Sequence, residues 1–346
     1  MRPWAGATDP DALLRLHERH PGRYPVLLES VGGGLELGRH DLLFALPGPT
    51  LVQHADGRIE GPAVAAGHSR FLSALDACWR AERIEANHEA GAPFTGGWFL
   101  YLGYELAGEI EPTLRLPASR LPRAVAWRMR GCVVRDRQTG ELTLHAEAGL
   151  EERLRFEFGA DLADAAATPG RAASAAVVEG AVTDEPAERF LAGVRAVLEA
   201  IGRGDVYQAN LSRGWQAQLA AGATPADLYR RLRAANPAPF AGSAVLPGFA
   251  LLSSSPERLL RVRGPVASTR PLAGCPQAGP ACAAGCPARR PAAEGSPVSL
   301  PLPRFLGGLP WRGDAVGGGA EKPGAPRSGA CLGLAGRGAA YLWKAC

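Results

Sequence analysis

The chain has 346 residues, enough for two domains that each bury a core, and 46% of them are hydrophobic and 21% charged, as in ordinary globular proteins. A net charge of +4 gives no reason to predict nucleic acid or an anionic membrane surface as a partner. No stretch approaches the roughly 20 uninterrupted apolar residues of a membrane-spanning helix, and residues 1–11 lack the basic start and apolar run of a signal peptide. We therefore expect a cytoplasmic protein.

Residues 1–165 mix helix and strand patterns, which predicts an α+β domain rather than repeated βαβ units. Apolar residues at three- and four-residue spacing indicate helices, and compact apolar runs that end at turn residues indicate strands. The predicted elements are a helix at 10–20, a strand at 24–29, a helix at 69–83 with Ser69 as its N-cap, strands at 98–104 and 124–134, a turn at 137–140 and a strand at 141–145.

A second domain is predicted at 184–274, after a linker at 166–183 that is rich in Ala, Gly and Thr and has no sustained periodicity. Its first helix begins near Thr183, has Pro186 in the first turn and ends at Gly202 and Gly204. The elements predicted after it are strands at 206–212 and 215–219, a helix at 225–235 that begins after Thr224, a hairpin of strands 240–246 and 249–254, and a hairpin of strands 258–263 and 266–270.

The composition changes after about residue 274. Residues 274–346 contain 15 Gly and 10 Pro among 73 residues, a level associated with disorder because such a segment cannot offset its own ordering entropy. We therefore predict a disordered tail at 275–346. Five of the seven cysteines fall there, without the two-residue spacing of a zinc knuckle, so a zinc-binding tail is only the weaker alternative: Cys275, Cys282, Cys286, Cys331 and Cys346.

Two segments of the second domain carry amide or carboxyl groups that suit a site. A strand through residues 204–212 would place the amides of Gln208 and Asn210 on one face, where paired donors and acceptors can orient a polar ligand. Glu257 directly follows Pro256, which marks a strand end, and a carboxylate that faces a cleft there suits proton transfer. The alternatives are a strand with an exposed polar face and a surface glutamate in a turn.

A third segment, residues 268–274, contains a cationic side chain that is followed by a proline and then by a glycine. Arg270 supplies the cation, Pro271 restricts the chain, and Gly274 allows close approach, which together suit an anion. On its own this segment is weak support for a binding site.

In this order and spacing, the segments resemble the chorismate-utilising enzymes, the family of anthranilate synthase component I and aminodeoxychorismate synthase component I. The resemblance covers about residues 10–273 and extends to the segments 93–106 and 235–240. The form of residues 207–211, Tyr-Gln-Ala-Asn-Leu, is similar to the aminodeoxychorismate branch, since the anthranilate branch usually carries phenylalanine and valine there. The implied fold is α+β, with large mixed or antiparallel β-sheets flanked by helices, incomplete at its C-terminus.

The resemblance implies that the C4 hydroxyl of chorismate is replaced by an amino group, with ammonia from a separate glutaminase subunit and Mg²⁺ on the substrate carboxylate. Glu257 matches the acid/base position of the family. Ala273 stands where some aminodeoxychorismate synthases carry a nucleophilic lysine, so direct attack by ammonia is implied, as in the anthranilate branch. This position favours the anthranilate branch, and the choice of the aminodeoxychorismate branch depends mainly on residues 207–211. The implied substrate pocket contains Gln208, Asn210, Arg270 and Gly274.

The segment 27–30, Leu-Leu-Glu-Ser, resembles the lining of an amino-acid effector pocket in the same family. In anthranilate synthases that pocket gives feedback inhibition, whereas core packing is the simpler interpretation of these positions. By the resemblance, tryptophan would be surrounded by Ser30, Leu37, Gly38, Arg39, His40, Pro239, Phe240 and Ala241.

The family continues beyond the position of Gly274 with acidic Mg²⁺ ligands and a histidine-containing segment, and residues 275–346 resemble neither. We therefore expect a reading-frame change near codon 274 of a GC-rich gene, no retained metal ligands, and no amination of chorismate by this chain. The alternatives are anthranilate synthase component I and a non-catalytic fragment that binds tryptophan or a partner.

Overall fold

The computed structural model describes residues 9–32, 38–84, 93–167, 176–263, 266–270 and 298–301. Up to residue 167 the elements are α1 (Ala12–Arg19), β1 (Val26–Glu29), β2 (His40–Gln53), β3 (Ile59–Glu60), α2 (Phe71–Ala81), β4 (Gly97–Leu102), α3 (Ala107–Ile110), β5 (Ala124–Asp136), β6 (Leu142–Ala146) and α4 (Glu151–Ala167). From residue 176 they are β7 (Val178–Asp184), α5 (Ala187–Arg203), β8 (Trp215–Leu219), α6 (Pro225–Ala235), β9 (Phe240–Leu246), β10 (Phe249–Ser255), β11 (Arg258–Arg263), β12 (Val266–Arg270) and β13 (Val298–Pro301).

The main sheet is antiparallel, and the order of its central strands is β10-β9-β1-β2-β5-β4, with β3 on β2 and β6 on β5. The short strand β1 joins the two parts of the chain, because it pairs with β2 on one side and with β9 on the other. The predicted α+β class with an antiparallel sheet is confirmed. The predicted boundary at 166–183 does not divide this sheet, since β9 and β10 complete it.

Alternate residues of the central strands enter different hydrophobic clusters, as the two-residue period of a strand requires, and a third cluster packs Phe71 of α2 against Leu51 and Ala126. Leu27 and Val133 face a cluster that also contains Phe158 of α4 and Tyr229 of α6. Neighbouring positions such as Val26 enter a second cluster on the other side of the sheet. The sheet is therefore buried on both faces at β1.

In α2 and α6, side chains supply hydrogen-bond partners for backbone N–H groups of the first turn. The predicted Ser69 cap is wrong: the N-cap of α2 is Arg70, and the Glu109 carboxylate of α3 accepts the N–H groups of Phe71 and Leu72 at 2.8 and 2.9 Å. This carboxylate satisfies two amides that an isolated helix leaves free. At α6 the predicted start is confirmed, since Thr224 forms a capping box with the third helical residue.

Residues 178–219 form a unit without buried side chains. The predicted linker at 166–183 instead contains the end of α4 and most of β7, because β7 finds a backbone partner in β8. No residue between 178 and 219 is buried. The predicted helix is confirmed as α5, but its predicted start is wrong, because Pro186 is the N-cap and Thr183 lies in β7. The helix ends at Gly204 in the left-handed conformation at φ 78°.

A small sheet follows the main one, with β11, β12 and β13 in antiparallel order. The predicted hairpins at 240–254 and 258–270 are confirmed. Within the predicted tail, residues 298–301 form β13 on the free edge of β12, with Val298 opposite Thr269. An unpaired strand edge offers backbone donors and acceptors to any extended segment, whatever its composition. Within the described ranges, no helix is both long and apolar enough to cross a membrane.

Candidate functional site

Glu257 lies in the bend between β10 and β11, half-buried, as the strand-end prediction placed it. Its backbone is held by Ser255: the Glu257 N–H donates to the Ser255 hydroxyl at 3.2 Å, and that hydroxyl donates to the Glu257 carbonyl at 3.1 Å. These two bonds fix the direction in which the chain leaves β10.

The two predicted amides lie on an irregular segment, so the predicted strand at 206–212 is wrong. A strand needs a neighbour to accept its backbone hydrogen bonds, and β8 begins only at Trp215. Gln208 and Asn210 are exposed, and their side chains contact each other at 3.5 Å. Among the described residues, no hydrogen bond joins either amide to Glu257.

The remaining predicted substrate residues lie at or beyond the end of β12. Arg270 closes this strand opposite Arg258, and only its backbone is described. Ala273 and Gly274 lie outside the described residues. The described part of the chain therefore places Glu257 directly before Arg258, the residue of β11 that pairs with Arg270, and leaves the amides on a separate segment.

The predicted effector residues lie around the end of β1. Glu29 is paired with Ala241 of β9, and the Gly32 N–H donates to the carbonyl of Ala238 at 3.0 Å, which brings the segment 239–241 beside Ser30. Gly38 lies directly on the Ser30 side chain, so that a Cβ at Gly38 would overlap it.

The other predicted effector residues differ in position. Arg39 is exposed and ion-paired with Asp136 at 2.7 Å, and His40 opens β2. Leu37 lies outside the described residues. The structure thus brings the Ser30, Gly38 and Pro239–Ala241 positions together, and it turns Arg39 toward solvent.

A cavity of about 380 Å³ adjoins Ser30. Its lining contains three carboxylates, Asp11, Glu29 and Asp41, and three guanidinium groups, Arg135, Arg137 and Arg233. The sequence analysis missed this cluster. The available signal was the placement of Glu29 and Asp41 at the ends of apolar strand patterns, where an uncompensated charge is costly.

The ion pairs of this cavity engage Glu29 through one of its carboxylate oxygens. Arg233 donates to Glu29 Oε1 at 2.9 Å and also contacts Asp11. Glu29 Oε2 is buried, and the Tyr229 hydroxyl lies beside the Glu29 carboxylate. Arg137 reaches Asp41 only at 4.0 Å. A ligand with both a donor and an acceptor group could contact Glu29 and Arg137 together.

Burial controls the protonation of these groups. Burial raises the pKa of the Glu29 carboxyl above its usual value, although Arg233 opposes the shift. Burial likewise raises the pKa of Asp41 against the opposing backbone N–H of Ser30. Burial and the neighbouring Glu29 carboxylate together raise the pKa of the Tyr229 hydroxyl.

The Mg²⁺ ion that the resemblance implies needs oxygen ligands from several carboxylates or from substrate. Within the described ranges, no group of three or more His, Cys, Asp or Glu side chains is arranged to hold a metal ion. The described residues alone do not fit the ion. Cys78 and Cys132, the cysteines in the described ranges, are buried free thiols.

Comparison with known proteins identifies the family to which the chain belongs. The chorismate binding enzyme family matches residues 42–289. The chain therefore belongs to the chorismate binding enzymes. The match runs past Gly274, the position at which we expected the resemblance to end.

Curated relatives include both branches of the family. Anthranilate synthase component 1 of Cereibacter sphaeroides is 30% identical over 283 residues, which is 76% of this chain and 56% of that protein. Aminodeoxychorismate synthase component 1 of Bacillus subtilis is 27% identical over 280 residues, which is 76% of this chain and 57% of that protein. The 2-amino-4-deoxychorismate synthase of Streptomyces globisporus is 34% identical over 189 residues, 52% of this chain and 37% of that protein.

The chain thus spans about half the length of the curated relatives it matches. Among solved structures, anthranilate synthase component I from Streptococcus pneumoniae TIGR4 superposes with a TM-score of 0.54 at 19% identity, over 68% of this chain and 54% of that one. That similarity shows the shared fold.

Proposed function

We propose that the chain is a form of aminodeoxychorismate synthase component I, the chorismate-aminating branch of the family, and that it does not itself aminate chorismate. Chorismate would receive ammonia from a glutaminase partner and become 4-amino-4-deoxychorismate. Membership of the chorismate binding enzymes carries this proposal. The Tyr-Gln-Ala-Asn-Leu form of residues 207–211 supports the aminodeoxychorismate branch over the anthranilate branch.

In the proposed reaction Glu257 transfers the protons. The C4–O bond of chorismate breaks as a C4–N bond forms, the hydroxyl leaves as water after protonation by Glu257, and the attacking ammonia loses one proton. Ala273 has no nucleophilic side chain, so ammonia itself attacks the ring. Gln208, Asn210 and Arg270 would bind the polar and carboxylate groups of the substrate.

Product analysis tests this assignment. Chorismate, ammonia and Mg²⁺ are supplied to the chain and to a version whose reading frame is restored after codon 274. We expect no turnover by the chain as it stands and aminodeoxychorismate from the restored version. Anthranilate with release of pyruvate would instead assign the restored protein to the anthranilate branch. The gene read in all three frames tests the frame change itself.

We infer a second candidate function, binding of a tryptophan-like amino acid beside Ser30. The Glu29 carboxylate in the lining of this cavity suits an ammonium group, and Arg137 suits a carboxylate. Calorimetry with tryptophan uses the full chain, because β9 and β10 complete the sheet that positions Ser30. We expect Glu29→Gln to abolish the heat of binding and Glu60→Gln, an exposed control, to leave it unchanged. Unchanged binding by the Glu29 variant would contradict the assignment.

A further inference from the structure

A second cavity, of about 490 Å³, lies at the opposite end of β2 and β5 from the cavity beside Ser30. It lies between Gln53 at the end of β2 and the segment 105–119. Volumes of this size are typical of sites for small molecules. Neither the proposed chemistry nor the predicted effector pocket uses any residue of this cavity.

Two guanidinium groups line the cavity, those of Arg70 at the start of α2 and of Arg123 directly before β5. The Arg70 side chain is 61% exposed, and its Nη2 group donates to the Glu109 carbonyl at 2.6 Å. Because a guanidinium group carries several N–H donors, this bond leaves donors of Arg70 for a ligand.

Arg123 is held in place from both sides of its backbone. Its N–H donates to the carbonyl of Gln53, and its carbonyl accepts the N–H of Gly103, both at 2.7 Å. Its side chain donates through Nε to the carbonyl of Ala55 at 3.1 Å. A cation that is already fixed loses little conformational freedom when an anion binds to its terminal nitrogens.

The two carboxylates of the same wall are turned away from a ligand. Glu109 accepts the N–H groups of Phe71 and Leu72 at 2.8 and 2.9 Å, and its side chain is only 9% exposed. Both oxygens of the Glu105 carboxylate are buried. Among the described residues of this wall, the charged groups that a ligand can reach are therefore the guanidinium groups.

Two hydroxyl groups, of Ser69 and Ser119, add neutral donors to the wall. Ser119 Oγ accepts the N–H of Leu121 at 3.0 Å, and its hydroxyl hydrogen can still be donated. The donors thus come from the start of α2 and from the segment that leads into β5. A phosphate group suits donors from several directions, because its three terminal oxygens do not share the single plane of a carboxylate.

We propose that this cavity binds a small phosphate monoester, with the phosphate group on Arg70 and Arg123 and with Ser119 as a further donor. Guanidinium and phosphate groups form short, charge-assisted hydrogen bonds. The rest of the molecule occupies the remaining volume beside Gln53 and Leu116. The proposal does not rest on the chorismate chemistry.

Calorimetry of the full chain with glycerol 3-phosphate, and with glycerol as its neutral analogue, tests the proposal. We expect the phosphate ester to bind at least about tenfold more tightly than glycerol, and Arg70→Gln to weaken its binding by about tenfold or more. Arg80→Gln, which changes an exposed arginine of the same helix outside the cavity, should bind as the parent chain does.

Two further measurements keep the test decisive if Arg70→Gln fails to fold, which circular dichroism would report. Arg123→Gln should weaken binding of the ester as well. In the parent chain, raising the salt concentration from about 0.05 M to about 0.5 M should weaken binding, because salt screens the attraction of charged groups near the surface.

Three results would overturn the proposal. The first is equal binding of ester and glycerol, or binding of neither. The second is full binding of the ester by the folded Arg70 variant. The third is binding of malonate as tight as that of the ester, which would assign the cavity to carboxylates.

Discussion

The body of the main sheet and the unit of residues 178–219 are built from similar elements, but they differ in how far their side chains are buried. In the sheet body, Phe158 of α4 and Tyr229 of α6 have no exposed surface. In the other unit no residue is buried, and Leu198 of α5 is 62% exposed. Both helices α4 and α5 have 17 residues, so length does not distinguish them. The difference is whether another element covers the apolar side of the helix.

Local signals explain why α5 is nonetheless a helix. Pro186 precedes its first turn, and Gly204 ends it in a left-handed conformation. Such signals define the ends of a helix but contribute little to the burial that stabilises a fold. The comparison therefore predicts that substitutions in the two units differ sharply in cost.

The largest effect is expected from truncation of a core aromatic ring. Phe158→Ala removes a fully buried side chain and should lower the free energy of unfolding by about 3–5 kcal/mol. Leu198→Ala, on the exposed helix, should change it by less than about 0.5 kcal/mol. Urea unfolding measures both. Equal losses would show that residues 178–219 are covered in solution.

A smaller loss is expected from a buried ion pair of the sheet body. Arg233→Ala leaves the buried Glu29 carboxylate uncompensated and should cost about 3 kcal/mol. Arg153→Ala, which breaks a surface pair with Glu157 at 2.7 Å, should cost less than about 0.5 kcal/mol. The same unfolding measurement applies, and a small loss for the Arg233 variant would refute the role given to the pair.

The buried His17 should make the stability of the sheet body depend on pH. His17 bonds the Tyr24 carbonyl at 2.7 Å and the Ser243 hydroxyl at 2.9 Å, and burial lowers its pKa below the usual 6.5. Below pH 6.5 the unfolded chain binds a proton that the folded chain does not bind. Stability should therefore fall as the pH falls from 6.5, by up to about 1.4 kcal/mol per pH unit for this group, and it should be unaffected by this group above 6.5.

Comparison of His17→Gln with His68→Gln isolates that contribution, because His68 lies at the surface. Unfolding measured between pH 5.5 and pH 7.5 should be less dependent on pH in the His17 variant only. An unchanged pH dependence in that variant would exclude His17 as the source.

The smallest effect is expected at the capping box of α6. Thr224→Ala removes the hydroxyl that accepts the Asp227 N–H at 3.2 Å and should cost about 1 kcal/mol. Thr224→Ser keeps the hydroxyl and should restore most of the loss. If the serine variant is as unstable as the alanine variant, the hydroxyl is not the source of the effect.

The elements that sequence reasoning predicted correctly are set by neighbours in the chain. Thr224 and Pro225 mark the start of α6, and the turn at 247–248 marks the hairpin of β9 and β10. The strand β2 was missed because Pro47, Gly48 and Pro49 interrupt its pattern. Its pairing with β5, on both sides of that interruption, depends on residues far away in the chain.

In the candidate site too, features set by chain neighbours could be predicted, whereas contacts between distant residues could not. The position of Glu257 at a strand end followed from Pro256 directly before it. The pairing of Glu29 with Arg233 could not be predicted, since 204 positions separate them. The error at 206–212 has the same origin, because alternation of polar and apolar residues does not supply a neighbouring strand.

The two branches are separated by the product that a version with the proposed reading frame after codon 274 makes from chorismate, ammonia and Mg²⁺. Chromatography with mass detection separates the two outcomes. The account predicts 4-amino-4-deoxychorismate with the pyruvyl group retained. Anthranilate and free pyruvate would contradict it.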